Sequence, residues 1–140
     1  MRVELLTIGS ELLNGATVNT NAAFLARRLA ELGLPCVRQT AVRDRRDEVV
    51  AGLRDVAARA ELVVITGGLG PTFDDVTVEA IAQALGRPLR YRADVAVRIR
   101  RFYARRHRRL RRAALRQAYL PEGAHPLANL LGTAPGVWLR

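Results

Sequence analysis

The sequence predicts an alternating α/β fold built on an open parallel sheet, and three observations carry that prediction. Short apolar runs alternate with amphipathic stretches of helical spacing. One of those runs, residues 61–66, is apolar nearly throughout (Leu62, Val63, Val64, Ile65), as expected of a strand covered on both faces of a parallel sheet. Glycines stand where the helical patterns stop, at Gly33 and Gly86. Right-handed crossovers then give an open sheet whose ligands sit at the carboxyl ends of the strands. That rule puts the loops after Ile8, Val42 and Thr66 on one edge.

The first strand is residues 2–8, with Val3, Leu5, Leu6 and Ile8 apolar. A helix over 20–32 follows, with Thr20 or Asn21 as its cap and Phe24, Leu25, Leu29 and Leu32 as its apolar stripe. Residues 35–42 are a second strand. Residues 46–59 are a second helix with Val49, Val50, Leu53, Val56 and Ala57 on one face. The third strand, 61–66, leads to a third helix over about 74–85. A fourth helix is predicted over 94 to about 112, with Val95, Ile99, Phe102, Tyr103, Leu110 and Ala113 as its stripe. Residues 119–140, rich in proline and glycine, read as short strands and turns.

The 140 residues suffice for one domain with a core, and 49% are hydrophobic, which argues against disorder. No apolar run reaches the roughly 20 residues that span a bilayer, and residues 1–9 lack the pattern of a signal peptide. A cytoplasmic protein with no membrane partner is expected. Cys36, the single cysteine, excludes an internal disulfide and reads as a buried, inert thiol. The absence of lysine excludes a P-loop lysine and a Schiff base.

The strongest local signal is the run Thr66-Gly67-Gly68-Leu69-Gly70-Pro71-Thr72-Phe73-Asp74-Asp75, with Thr77 beyond it. A strand running into three glycines and then a helix lets backbone amides approach a ligand closely, and the helix start favours an anion. Two adjacent carboxylates beside a phosphate are the usual means of holding a hard divalent cation such as Mg²⁺, which neutralises phosphate charge and activates water. Asp74 and Asp75 are therefore the expected metal ligands, from the first turn of that helix. Thr66, Thr72 and Thr77 supply hydroxyls. The alternative is a tight turn at Gly67 and Gly68 with Asp74 as a cap. It accounts for one aspartate and not for two.

The first loop, Gly9-Ser10-Glu11-Leu12-Leu13-Asn14-Gly15, leaves its strand at the same edge. Ser10 can donate to phosphate, and Glu11 can bind a ribose hydroxyl or a metal. Asn19, Thr20 and Asn21 open the next helix, with capping as the plainer role. Asp44 follows the second strand as either a ligand carboxylate or a helix N-terminal charge.

GSELLNG, NTN and TGGLGPTFDDVT, followed by RQA, LPEGA and NLLGTAPG, together resemble the N-terminal domain of CinA (competence/damage-inducible) proteins, which is similar to MoaB and MogA. The resemblance covers nearly the whole chain. It implies a three-layer α/β/α fold with a mostly parallel sheet in a single domain over 1–140, shortened at its C-terminal end. A proline-glycine-proline-proline turn and a nicotinamide-nucleotide amidase domain of the family have no counterpart, and Val137–Leu139 is expected to lack a hairpin partner. Ala113 and Ala114 stand where the family usually has an asparagine.

The resemblance further implies a pocket for an adenine nucleotide or a phosphorylated pterin. It implies metal-dependent (Mg, Mn or Co) ADP-ribose pyrophosphatase activity giving AMP and ribose 5-phosphate, or molybdopterin bound without turnover. The residues it carries over are Gly67, Gly68, Gly70, Thr72, Asp74, Asp75 and Thr77 in the central motif. Gly9, Glu11, Asn19 and Asn21 match the first motif, and Asp44 the acidic position after the second strand. The family makes homodimers and trimers, so self-association is expected.

The net charge of +10 is local. Residues 98–116 hold ten arginines and no acidic residue, and the remaining arginines balance the 13 acids. Three readings stand: a solvated helix face, a patch for nucleic acid whose affinity falls with salt, or one or two arginines forking a phosphate, with Arg106 the best placed. The nucleic-acid reading is the weakest, since no aromatic-rich platform accompanies the arginines. His107, with no second histidine at ligand spacing, reads as a surface residue.

Overall fold

Strand β1 (Val3–Ile8) is buried along its whole length, because it lies at the centre of a parallel sheet ordered β2-β1-β3, with β2 at Cys36–Val42 and β3 at Leu62–Thr66. The computed structural model describes residues 1–140, which form two compact units, Met1–Gly68 and Leu69–Arg140.

In the first unit, α1 (Ser10–Leu13) and α2 (Thr20–Glu31) connect β1 to β2, and α3 (Arg46–Ala57) connects β2 to β3. The chain steps one way from β1 to β2 and back across β1 to β3. Right-handed crossovers therefore place α2 and α3 on opposite faces, which is the expected α/β/α layering. The side chains agree. Thr7 faces the start of α2, where Asn19 Nδ2 donates to its hydroxyl at 3.0 Å. Leu6 faces α3, where a Cβ added at Gly52 would lie 3.6 Å from its methyl. Val49, Val50, Leu53 and Val56 are the buried face of α3, whereas Ala57 is exposed.

The apolar strand covered on both faces is thus β1, not β3, whose residues are only half-buried. Burial of β1 extends to a charge. Glu4, 1% exposed, receives Arg59 Nε at 3.0 Å on each carboxylate oxygen. Arg59 also pairs with Asp55, and that hydrogen bond, with the one to Glu4, raises the guanidinium's proton affinity further.

The cap of α2 is Asn19 rather than Thr20 or Asn21, its Oδ1 accepting from Ala22 N at 3.1 Å. Phe24 and Leu32 are exposed; the packed stripe is Ala22, Leu25, Ala26 and Leu29, at true helical spacing. Asn19→Ala removes the cap and leaves the buried Thr7 hydroxyl without its donor. A loss of about 1–2 kcal/mol is expected in denaturant unfolding, against a few tenths for Asn21→Ala. Cys36 is half-buried rather than buried, its thiol directed at the Arg38 carbonyl.

The second unit holds α4 (Thr77–Ala84), β4 (Leu89–Tyr91), α5 (Ala93–Arg105), a 3₁₀ helix (Arg112–Ala118), β5 (Tyr119–Pro121), β6 (His125–Leu127) and β7 (Gly136–Trp138). Strand β4, too short to announce itself in sequence, pairs antiparallel with β5. Strand β7 does have a hairpin partner: Val137 pairs with Pro126 of β6. The core joins Val95, Ala96 and Ile99 of α5 to Ala114, Ala118, Leu120 and Ala124.

Helix α5 stops at Arg105 instead of reaching 112. His107 takes φ +50°, its amide bonds to Ala104, and the Arg108 amide bonds back to Tyr103. This is a Schellman termination with histidine in the usual glycine position. Beyond it Ala113 is exposed and Ala114 takes the buried place. No helix is long and apolar enough to cross a membrane.

Candidate functional site

The first unit brings its predicted residues together at the carboxyl ends of β1 and β3. Gly9 follows β1 directly and its amide donates to Val42 O at 3.0 Å. Ser10 opens α1, a short helix where sequence reads only a loop, and its hydroxyl donates to the Asp44 carboxylate. Asp44 is therefore occupied by Ser10 and fixes the turn after β2. Glu11, Asn19, Asn21, Thr66 and Gly67 share a cleft of about 130 Å³ with Ile8 and Thr17. That volume suits part of a nucleotide or pterin, since whole small-molecule sites run to roughly 300–1,000 Å³.

Gly67 sets the shape of that cleft. Its φ is +107°, and a Cβ there would collide with the Ile8 carbonyl oxygen. The chain can leave β3 this tightly against the end of β1 only with no side chain at 67. Gly68 continues the turn at φ +60°.

The rest of the motif lies in the second unit, and its local structure differs from expectation. Helix α4 begins at Thr77, so Asp74 and Asp75 occupy a turn ahead of it rather than its first helical turn. Val76 precedes the helix without side-chain capping, and the helix dipole does not open at the glycines. The physical reason is local. The Thr72 amide donates to Asp75 Oδ2 at 3.0 Å, the Thr72 hydroxyl reaches the same oxygen, and Asp75 N returns a bond to Thr72 O at 3.2 Å. The first of these bonds, a side chain accepting from the amide three residues before it, is one half of a pattern that commonly opens a helix, and here it closes a turn. Gly70 permits it, because a Cβ there would run into the Asp75 carboxylate. Thr77 is buried on the first turn of α4.

Asp74 is exposed, and the Thr72 hydroxyl beside it, ahead of its own backbone amide, holds its carboxyl below the ordinary carboxylate range. A depressed pKa means the interaction is fully present above the unfolded value and is lost as pH falls through the lower folded value. Thr72→Val is expected to raise the Asp74 midpoint toward that of a free aspartate, read by carboxyl NMR titration.

Two residues that sequence reasoning did not place in the site brace this turn. Arg116 Nη1 donates to Thr72 O at 3.0 Å while its Nη2 pairs with Glu79 at 2.7 Å. Gln117 Nε2 donates to Leu69 O at 3.0 Å. Their one sequence signal is the RQA run, which does not say what they touch. The buried Gln117 Oε1 has no protein partner.

A hard divalent cation beside substrate phosphates is usually held by one or two carboxylates, with phosphate oxygens and water completing its shell. Asp74 and Asp75 would supply those carboxylates, and no group of three or more His, Cys, Asp or Glu residues comes together in either unit. The donor set fits a cation of that kind and not an all-protein cage.

Residues 4–140 match the family model described as a "Probable molybdopterin binding domain". A protein of Caldivirga maquilingensis is 46% identical over 140 residues, covering 100% of this chain and 54% of that protein. A CinA-like protein of Synechococcus is 48% identical over 137 residues, covering 97% and 32%. This chain thus spans about half the length of the first of these relatives and a third of the second. Among solved structures, CinA of Thermoplasma acidophilum superposes with a TM-score of 0.90 at 39% identity, covering 98% of this chain and 80% of that one. The molybdopterin biosynthesis enzyme MoaB of Thermus thermophilus gives a TM-score of 0.56 at 25% identity, covering 81% and 69%.

Proposed function

The chain belongs to the molybdopterin-binding domain family, of MoaB/Mog fold and CinA-like sequence, and from that premise we propose that it binds a phosphorylated nucleotide and, with Mg²⁺, Mn²⁺ or Co²⁺, hydrolyses ADP-ribose to AMP and ribose 5-phosphate. The observation that carries the proposal is the turn in which Thr72 fixes Asp75 beside an Asp74 held ionised. A cation bound there would neutralise diphosphate charge and lower the pKa of bound water.

The chain's own residues supply the rest. Asp74 and Asp75 would hold the cation. In the cleft of the first unit, the Gly67 backbone lets a ligand approach closely, and Asn19, Asn21 and Thr66 offer polar contacts around it. Glu11, exposed at the cleft wall, offers its carboxylate to a ribose hydroxyl of a ligand bound there. Water attacks one phosphorus, the bridging P–O bond breaks, and the two monophosphates leave. Asp44, bound by Ser10, holds the loop and takes no proton in this scheme. Self-association belongs to the same proposal, supported by Phe24 and Leu32 exposed on and just beyond α2.

Purified chain is expected to release AMP and ribose 5-phosphate in equal amounts from ADP-ribose only when a divalent cation is added, as read by chromatography. Binding of AMP or a pterin phosphate with no release under any of the three metals would reduce the domain to a binding module.

A further inference from the structure

The larger cleft of the second unit, about 300 Å³, lies between α5 and the loop 129–135 and shares no residue with the acidic turn. Arg98, Arg101, Arg105 and Arg106 line it, with Phe102 in its floor, and no acidic residue does. The first three stand at i, i+3 and i+7, one stripe of the helix. In this unit Arg90 pairs with Glu122, Arg92 with Asp94 and Arg116 with Glu79, and Arg87 bonds two carbonyls. Those pairs consume every carboxylate of the unit except Asp74 and Asp75. Arg98, Arg101 and Arg105 make no ion pair or hydrogen bond, and Arg106 lies over the Phe102 ring at 3.7 Å.

Four cations thus converge on a concavity without compensation, where a charged cleft concentrates its field on an opposite charge. The facing wall is built rather than loose. Asn129 accepts from the Leu131 and Gly132 amides at 2.9 and 3.0 Å and donates to Ala134 O, which holds the loop closed. A volume of about 300 Å³ is at the small end of small-molecule sites.

We propose that this cleft binds the polyphosphate chain of a small molecule, a nucleoside polyphosphate or inorganic polyphosphate, independently of the acidic turn. Guanidinium forks match phosphate oxygens in pairs, so the stripe reads successive phosphates. The cleft takes one such molecule and is not a track for nucleic acid: Arg106 already covers one face of Phe102, the only aromatic ring lining it.

The test is calorimetric titration in metal-free buffer at physiological salt with inorganic triphosphate, ATP and a single-stranded oligonucleotide. One triphosphate or ATP per chain is expected, whichever of the two binds tighter naming the natural source. Arg101→Gln with Arg105→Gln should weaken it at least about tenfold, while Arg108→Gln with Arg109→Gln, which removes equal charge outside the cleft, leaves it unchanged. Asp75→Asn should also leave it unchanged, which separates this site from the pyrophosphatase reading. Equal weakening by both arginine pairs, no saturable binding, or binding confined to the oligonucleotide would overturn the proposal.

Discussion

Gly67→Ala is expected to lower stability by at least about 3 kcal/mol and to abolish ligand binding in the adjacent cleft. Two costs combine. An L side chain at φ +107° is strained by about 1–3 kcal/mol. Its Cβ would also strike the Ile8 carbonyl oxygen and lie 2.9 Å from the carbonyl carbon. Ile8 closes the central strand, paired with β2 there, so the backbone cannot yield without breaking the ladder. Overpacking of this kind adds about 1–3 kcal/mol. Gly33→Ala is the control: φ is +74°, nothing lies within 4 Å of the new Cβ, and about 1 kcal/mol is expected. Denaturant unfolding of the two variants side by side gives the comparison. Equal losses would mean that the approach to Ile8 is not what demands glycine.

Arg59→Ala is expected to be as damaging for an electrostatic reason, with the melting temperature falling on the order of 10 °C. The Glu4 side chain is 2% exposed and both of its oxygens rest on Arg59 Nε. Taking the cation away leaves a buried carboxylate in β1 with neither water nor counter-charge. The double variant Arg59→Ala with Glu4→Gln no longer strands a charge and should melt above the single one. Additive losses in that cycle would show the two groups to be energetically independent.

The parallel sheet was legible because hydrophobic burial writes itself into periodicity: β1, β2, β3, α2 and α3 lie within a few residues of their sequence expectations. The elements that departed were decided by side-chain hydrogen bonding. Thr72 to Asp75 has the spacing of a helix start, and the same bonds close a turn before α4. The stop of α5 rests on His107 adopting a left-handed conformation without a glycine to mark it. Strand β4 has three residues and owes its existence to a partner about thirty positions on in sequence. In the site, residue types and their clustering were readable from the glycines and acids. Engagement was not: that Asp44 is taken by Ser10, or that Arg116 and Gln117 hold the Leu69–Thr72 backbone, depends on contacts across 34 to 48 positions.

In the proposed function a cation at the acidic turn enables diphosphate cleavage. The most direct measurement is AMP release from ADP-ribose across an Mn²⁺ titration for the natural chain, Asp75→Asn and Thr72→Val. Metal-dependent release is expected, reduced at least about a hundredfold by Asp75→Asn in a chain that melts normally, with Thr72→Val needing more metal for half-maximal rate. Release from Asp75→Asn at the natural rate and metal dependence would contradict it.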